Sequence, residues 1–195
     1  MVETITPVVH GGRKKYWTSV ALHALGATLA AAIFGFVLGG IGALLRAPWG
    51  HLGVVVVAVM AIMYAVREAF GLRIPLPDRH EQVPQWWRDF FSASVSSFLY
   101  GAGLGIGFFT FLQFGTYVVV AVAALLSASP LIGVLLCLPF GLTRGLSVVV
   151  TARATQPGDA GALVDLLDRW GSTRWPRLVN AAALAGIAAA ALLAL

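Results

Sequence analysis

The chain has 195 residues, of which 59% are hydrophobic and 11% charged, against roughly 45–50% and 25% in an ordinary soluble domain. With a mean hydropathy of +0.87, that balance excludes a water-soluble globule and points to one integral membrane domain over residues 1–195. A lone cysteine, Cys137, excludes an internal disulfide, a multi-cysteine zinc site and a dithiol relay within the chain.

Five apolar stretches follow in chain order: Tyr16–Leu45, His51–Phe70, Phe90–Ala128, Leu131–Thr151 and Leu178–Leu195. A hydrocarbon core roughly 30 Å thick takes about 20 helical residues to cross. The second, fourth and fifth stretches fit single spans, the fifth being short. The first and third are longer and carry glycines in mid-segment, among them Gly35 and Gly39, then Gly101, Gly103, Gly105 and Gly107. Each is a tilted or broken helix, or two crossings joined by a tight turn. The apolar run after Lys15 is about twice the length of a signal-peptide core, so a retained helix is expected there. Between the spans, Arg73–Asp89 carries three prolines and mixed charge and reads as a surface loop. Asp159–Trp170 sets Leu163, Val164, Leu166, Leu167 and Trp170 at helical spacing, with Asp165, Asp168 and Arg169 on the other face. That predicts a short helix along the membrane surface, with Asp159 as its N-cap.

Basic residues set the expected topology. Eleven of the thirteen lie in three regions: Arg13 to Lys15, Arg67 to Arg88, and Arg153 to Arg177. The positive-inside rule makes these regions cytoplasmic, which requires an odd number of crossings in each long stretch. The expected fold is therefore an all-α polytopic membrane protein of about five transmembrane helices, two of them long and Gly-broken. Its N-terminus is cytoplasmic, its C-terminus outside, and its location the inner membrane of the cell. All six tryptophans fall at stretch ends or in connections, as in an aromatic belt. The basic side then reports orientation and contact with anionic lipids, and nucleic acid is not needed to explain the charge.

The chain also carries a weak two-fold internal repeat, with copies at roughly 16–72 and 90–151 followed by a final helix at 178–195. A long Gly-rich stretch, a short turn with proline (Pro48, Pro130) and a shorter helix ending in an embedded arginine (Arg67, Arg144) occur twice. Gly26 then matches Gly103, and Phe34 matches Phe111. Repeats of this kind are a frequent transporter plan, although Ala/Gly/Leu-rich membrane helices also resemble one another without one.

Within the second copy, Ser96–Val150 has a Gly-rich helix start, an aromatic-containing break after Gly107, a further glycine and then a helix with a Gly-Leu pattern. On these residues the chain resembles the transmembrane domain of the CcdA/DsbD-type cytochrome c biogenesis family, within the LysE-like superfamily. The resemblance implies a helical transporter scaffold with inverted repeats. That family carries electrons on a cysteine following proline at each helix break. Here the corresponding region reads Gly107-Phe108-Phe109-Thr110-Phe111, with neither residue. Thiol exchange needs an attacking thiolate and a resolving partner, so a redox-dead relative is what the resemblance implies.

An ionisable or strongly polar side chain at membrane depth is expensive and marks a candidate site. Arg144 lies about 13 residues into the fourth stretch, within reach of a substrate or partner, or else snorkels to the interface. Gln113, Thr110 and Thr116 surround the break in the third stretch, where they either satisfy freed backbone groups or line a pore. His23, two turns into the first helix, either carries protons or bonds a neighbouring helix. Arg67 and Glu68 read as an interfacial anchor. Gly101 to Gly107 lack the strand and lysine of a nucleotide loop. Their spacing of four instead suits close helix packing, with the Ala-rich final helix as a partner. No catalytic or metal-ligating constellation is legible, and no cofactor is implied. The expected function is a small transporter-like protein moving a solute or ion without thiol chemistry, as an oligomer or with a partner. The alternative is a non-enzymatic scaffold or accessory subunit that binds a partner membrane protein through its Gly-rich faces.

Overall fold

In lipid the backbone finds no water to bond, so apolar segments satisfy their own N–H and C=O groups as helices. The computed structural model describes residues 12–46, 50–76, 87–107, 114–153, 156 and 158–195, and among them every regular element is helical. In order these are α1 (Arg13–Leu44), α2 (His51–Phe70), the short α3 (Trp87–Phe90), α4 (Ala93–Gly105), α5 (Thr116–Leu126), α6 (Pro130–Leu146), α7 (Asp159–Gly171) and α8 (Trp175–Leu193). A 3-10 turn, Ser147–Arg153, extends α6. Four segments are long and apolar enough to cross a membrane: Arg13–Leu44, His51–Phe70, Pro130–Ala152 and Trp175–Leu193. The chain is thus a helical membrane protein.

The two long stretches behave differently. α1 runs unbroken for 32 residues through Gly35, Gly39, Gly40 and Gly42, so the expectation of a Gly-broken first helix is corrected. Three of those glycines are sites of close approach and not hinges: a Cβ on Gly35, Gly39 or Gly42 would collide with the carbonyls of Gly133, Ser129 and Leu125 respectively. The third stretch does break. Ser92 caps α4, accepting a bond from Val95 N–H at 3.5 Å. Gly107, at φ +67°, takes the chain out of the helix just beyond α4, a conformation that costs glycine nothing. The crossing expected of the third stretch is therefore no continuous helix; α4 and α5 have only 13 and 11 residues.

Two compact units form, residues 1–31, 81–110 and 139–173, and residues 32–80, 111–138 and 174–195. In the first, the buried face of α1 repeats every three or four residues as Tyr16, Ser19, Val20, His23, Ala27, Ala30 and Ala31. α4 lies on it in parallel, with Gly101 against the His23 carbonyl and Gly105 against that of Ala27. The end of α6 runs antiparallel, Gly141 meeting Ala27 and Ala31 while Gly145 meets Ala24. The Gly101 and Gly105 contacts thus go to α1, where the sequence had offered the final helix. The Tyr16 hydroxyl lies 3.2 Å from Thr151 Oγ1 and closes the far end.

In the second unit, α2, α5 and α8 share a core of Ala61, Tyr64, Val119, Leu184 and Ala188. α2 and α5 are antiparallel, since Gly115 sits against Tyr64 at one end and Leu126 against Gly53 at the other. The C-terminal part of α1 runs parallel to α5, Phe34 stacking on Tyr117 at 6.0 Å and Gly42 meeting Leu125. α6 starts antiparallel to α1, through Ser129–Gly39 and Gly133–Gly35.

The surface helix expected at Asp159–Trp170 is α7, with no buried residue. Asp159 is its first residue and not its cap: Gly158 holds that position, and the Asp159 carboxylate accepts the N–H of Gln156 at 2.8 Å.

Candidate functional site: polar groups inside the helix packing

The second unit holds a polar cluster at the start of α5. Gly71, at φ +69°, ends α2 and bonds back to the Arg67 carbonyl at 2.8 Å. The chain then doubles back along the last turn of α2. Arg67 Nε donates to the Ile74 carbonyl at 2.9 Å and Tyr64 OH to that of Pro75 at 3.4 Å. Glu68, only 4% exposed, accepts from Arg67 Nη1 at 2.5 Å and from the Gly115 N–H at 3.4 Å. A carboxylate there satisfies an amide that α5 cannot pair internally and faces the positive end of its dipole. Glycine is required at 115, because a Cβ would overlap the Tyr64 ring. One residue on, Thr116 Oγ1 donates to Asn180 Oδ1 of α8. The Asn180 Nδ2 atom is buried without a partner among the described residues. Chemically this cluster is a clamp: α2 and α8 hold the first residues of a half-length helix from two sides.

The first unit has a different polar site. His23 is fully buried, and its Nδ1 lies 3.2 Å from the Ser97 carbonyl of α4. Donation to that carbonyl places a proton on Nδ1, and Nε2 has no partner among the described residues. Ser97 Oγ bonds back to the Ala93 carbonyl at 2.7 Å. Arg144, half-buried on α6, carries its guanidinium 5.4 Å over the Phe140 ring, a cation–π contact.

Of the residues singled out from the sequence, His23 and Arg144 lie in the first unit and Thr116 in the second, so they do not form one cluster within either unit. Gln113 and Thr110 lie outside the described residues. Gly35, Gly39, Gly101 and Gly105 are helix contacts; Gly103 is half-buried, and Gly107 is the buried turn after α4. Glu68, expected with Arg67 as an interfacial anchor, is instead buried against the Gly115 amide, and Asn180 was not singled out at all. Glu68 is the one acid inside any apolar stretch, and Asn180 the one strongly polar residue of the last. Those singularities were the available signal.

What these features define is a class: a polytopic helical membrane protein whose interior polar groups fasten helices. Comparison narrows it. The chain is 33% identical over 153 residues to the methylamine utilization protein MauF of Paracoccus versutus, covering 76% of this chain and 56% of that one. To MauF of Methylophilus methylotrophus it is 36% identical over 130 residues, 66% of this chain and 45% of that one. To MauF of Paracoccus denitrificans it is 31% identical over 133 residues, 68% and 48%. The chain spans about half the length of these curated relatives. No family model matches, and no solved structure does. The CcdA/DsbD resemblance is thereby overturned: the relatives carry a different name, and small and apolar residues such as those of Ser96–Val150 recur in many membrane helices.

Proposed function

We propose that the chain is a non-catalytic accessory membrane protein of methylamine utilization that binds a partner protein in the bilayer. The observation that carries this reading is its similarity, over most of its length, to proteins named for that process. The interior supports it. Thr116 is bonded to Asn180 and His23 is sealed between α1 and α4, whereas a solute path would need such groups to face water. The Gly-rich faces first considered for a partner are occupied inside the chain, so the partner meets the large exposed side chains of the outer surface instead.

Five crossings from a cytoplasmic N-terminus, in the inner membrane, are read from the basic residues gathered in alternate connections. α4 and α5 each run parallel to α1, while α2 opposes α5 and α6 opposes α1. A reporter fused after Leu195 would then read outside; a cytoplasmic signal would overturn this topology.

The function is tested by deleting the gene in a host that uses methylamine. Growth on methylamine is lost, growth on succinate is unchanged, and uptake of labelled methylamine by washed cells is retained. Loss of uptake would favour transport, and normal growth on methylamine would sink the proposal.

A further inference from the structure

α7 is the one long helix of the described residues that contributes nothing to the buried interior. Its sequence nevertheless sorts by face. Leu163, Val164, Leu166, Leu167 and Trp170 fall on one side and Asp165, Asp168 and Arg169 on the other, at the 100° step of a helix. Much of the apolar side is left open among the described residues: Leu163 and Val164 are half-buried, but Leu166 is 51% exposed and Trp170 63%. Among the helical elements its packing neighbour is the 3-10 turn after α6.

Chain continuity says what meets that face. The membrane-crossing segment Pro130–Ala152 ends a few residues before α7, and the crossing helix Trp175–Leu193 begins four residues after it. Both ends of the segment are therefore tied to the same membrane surface, and α7, about 20 Å long, has nowhere to go but along it. Trp170 and Trp175, both exposed, have the side chain that partitions to that depth. Arg169, Arg174 and Arg177 are exposed beside them and match phosphate headgroups.

We infer that α7 is an in-plane anchor whose apolar face enters the boundary between lipid headgroups and acyl chains, fixing the connection between the last two membrane-crossing segments at the bilayer surface. This surface is independent of the proposed partner function.

The test uses the full chain in phosphatidylcholine/phosphatidylglycerol nanodiscs, with Cys137→Ala and single nitroxide labels at Leu166→Cys, Leu167→Cys, Asp165→Cys and Asp168→Cys. All four positions are exposed, so the labels disturb no packing. The ratio of oxygen to nickel-chelate accessibility should be several-fold higher at 166 and 167 than at 165 and 168. Equal ratios at all four positions would place the helix in water and overturn the inference. Shielding of 166 and 167 from both reagents would overturn it too, because protein rather than lipid would then cover the face.

Discussion

The two units solve the same problem, packing helices in lipid, and share one means while the second unit adds another. In the first, helices approach closely: Gly101 and Gly105 bring α4 against the α1 backbone, and Gly141 and Gly145 bring α6 against the backbone and small alanine side chains of α1. In the second, Gly35, Gly39 and Gly42 bring α1 against α6 and α5 in the same way, but α2, α5 and α8 meet through side chains of ordinary size around Tyr64, Val119 and Leu184, and the polar contacts gather where α5 begins. Lipid supplies no hydrophobic drive between helices, so association rests on close packing and on interhelical hydrogen bonds. A long helix lined by glycines needs little of the second; α5, at 11 residues, needs both. Polar bonding therefore concentrates where packing area is smallest.

That contrast can be broken deliberately. The largest effect is expected for Gly105→Leu, whose side chain would have to enter the Ala27 backbone. Overpacking costs about 1–3 kcal/mol and more where backbone must move, so loss of the folded monomer in a denaturant titration in detergent is expected. Gly40→Leu, with open space around it, should leave the midpoint nearly unchanged, and equal losses at both positions would mean that close contact between α4 and α1 is not what glycine serves. Next comes Glu68→Ala, which strips Arg67 and the Gly115 amide of their shared acceptor. Removing one member of a buried pair costs several kcal/mol; with Arg67 21% exposed, about 2 kcal/mol is expected. Amide exchange should speed up at the start of α5 and stay unchanged in α4. Exchange rising equally in both would erase the distinction between the units. The smallest effect belongs to Asn180→Ala, at about 0.6 kcal/mol for one interhelical bond, read from the same titration. A loss as large as that of Glu68→Ala would make Asn180 and not Glu68 the main fastening of α5.

Much of the helical layout was legible. His51–Phe70 is α2 residue for residue, and α7 extends the predicted surface segment by one residue. Length and apolarity dictate those ends, because a span must match the bilayer. The fate of the glycines was not legible. Gly35 and Gly39 look the same in sequence as Gly107, yet the first pair receives another helix and the last turns the chain. Which happens depends on whether a backbone stands opposite, and that is a property of the assembled helices. The site was less legible than the fold. Single polar residues announce themselves by cost, but their partners, as with Glu68 and Gly115 or Thr116 and Asn180, lie 47 and 64 residues apart.

The clamp at the head of α5 also orders the birth of the molecule. Glu68 is synthesised before α5 and Asn180 well after it, so on a growing chain the half-helix can find its first partner at once and its second only when α8 arrives. Until then Thr116 is without the acceptor it uses in the finished protein. A truncation that stops short of residue 180 should accordingly leave this segment exposed to the quality-control proteases of the membrane, while α1 and α2 are already in place.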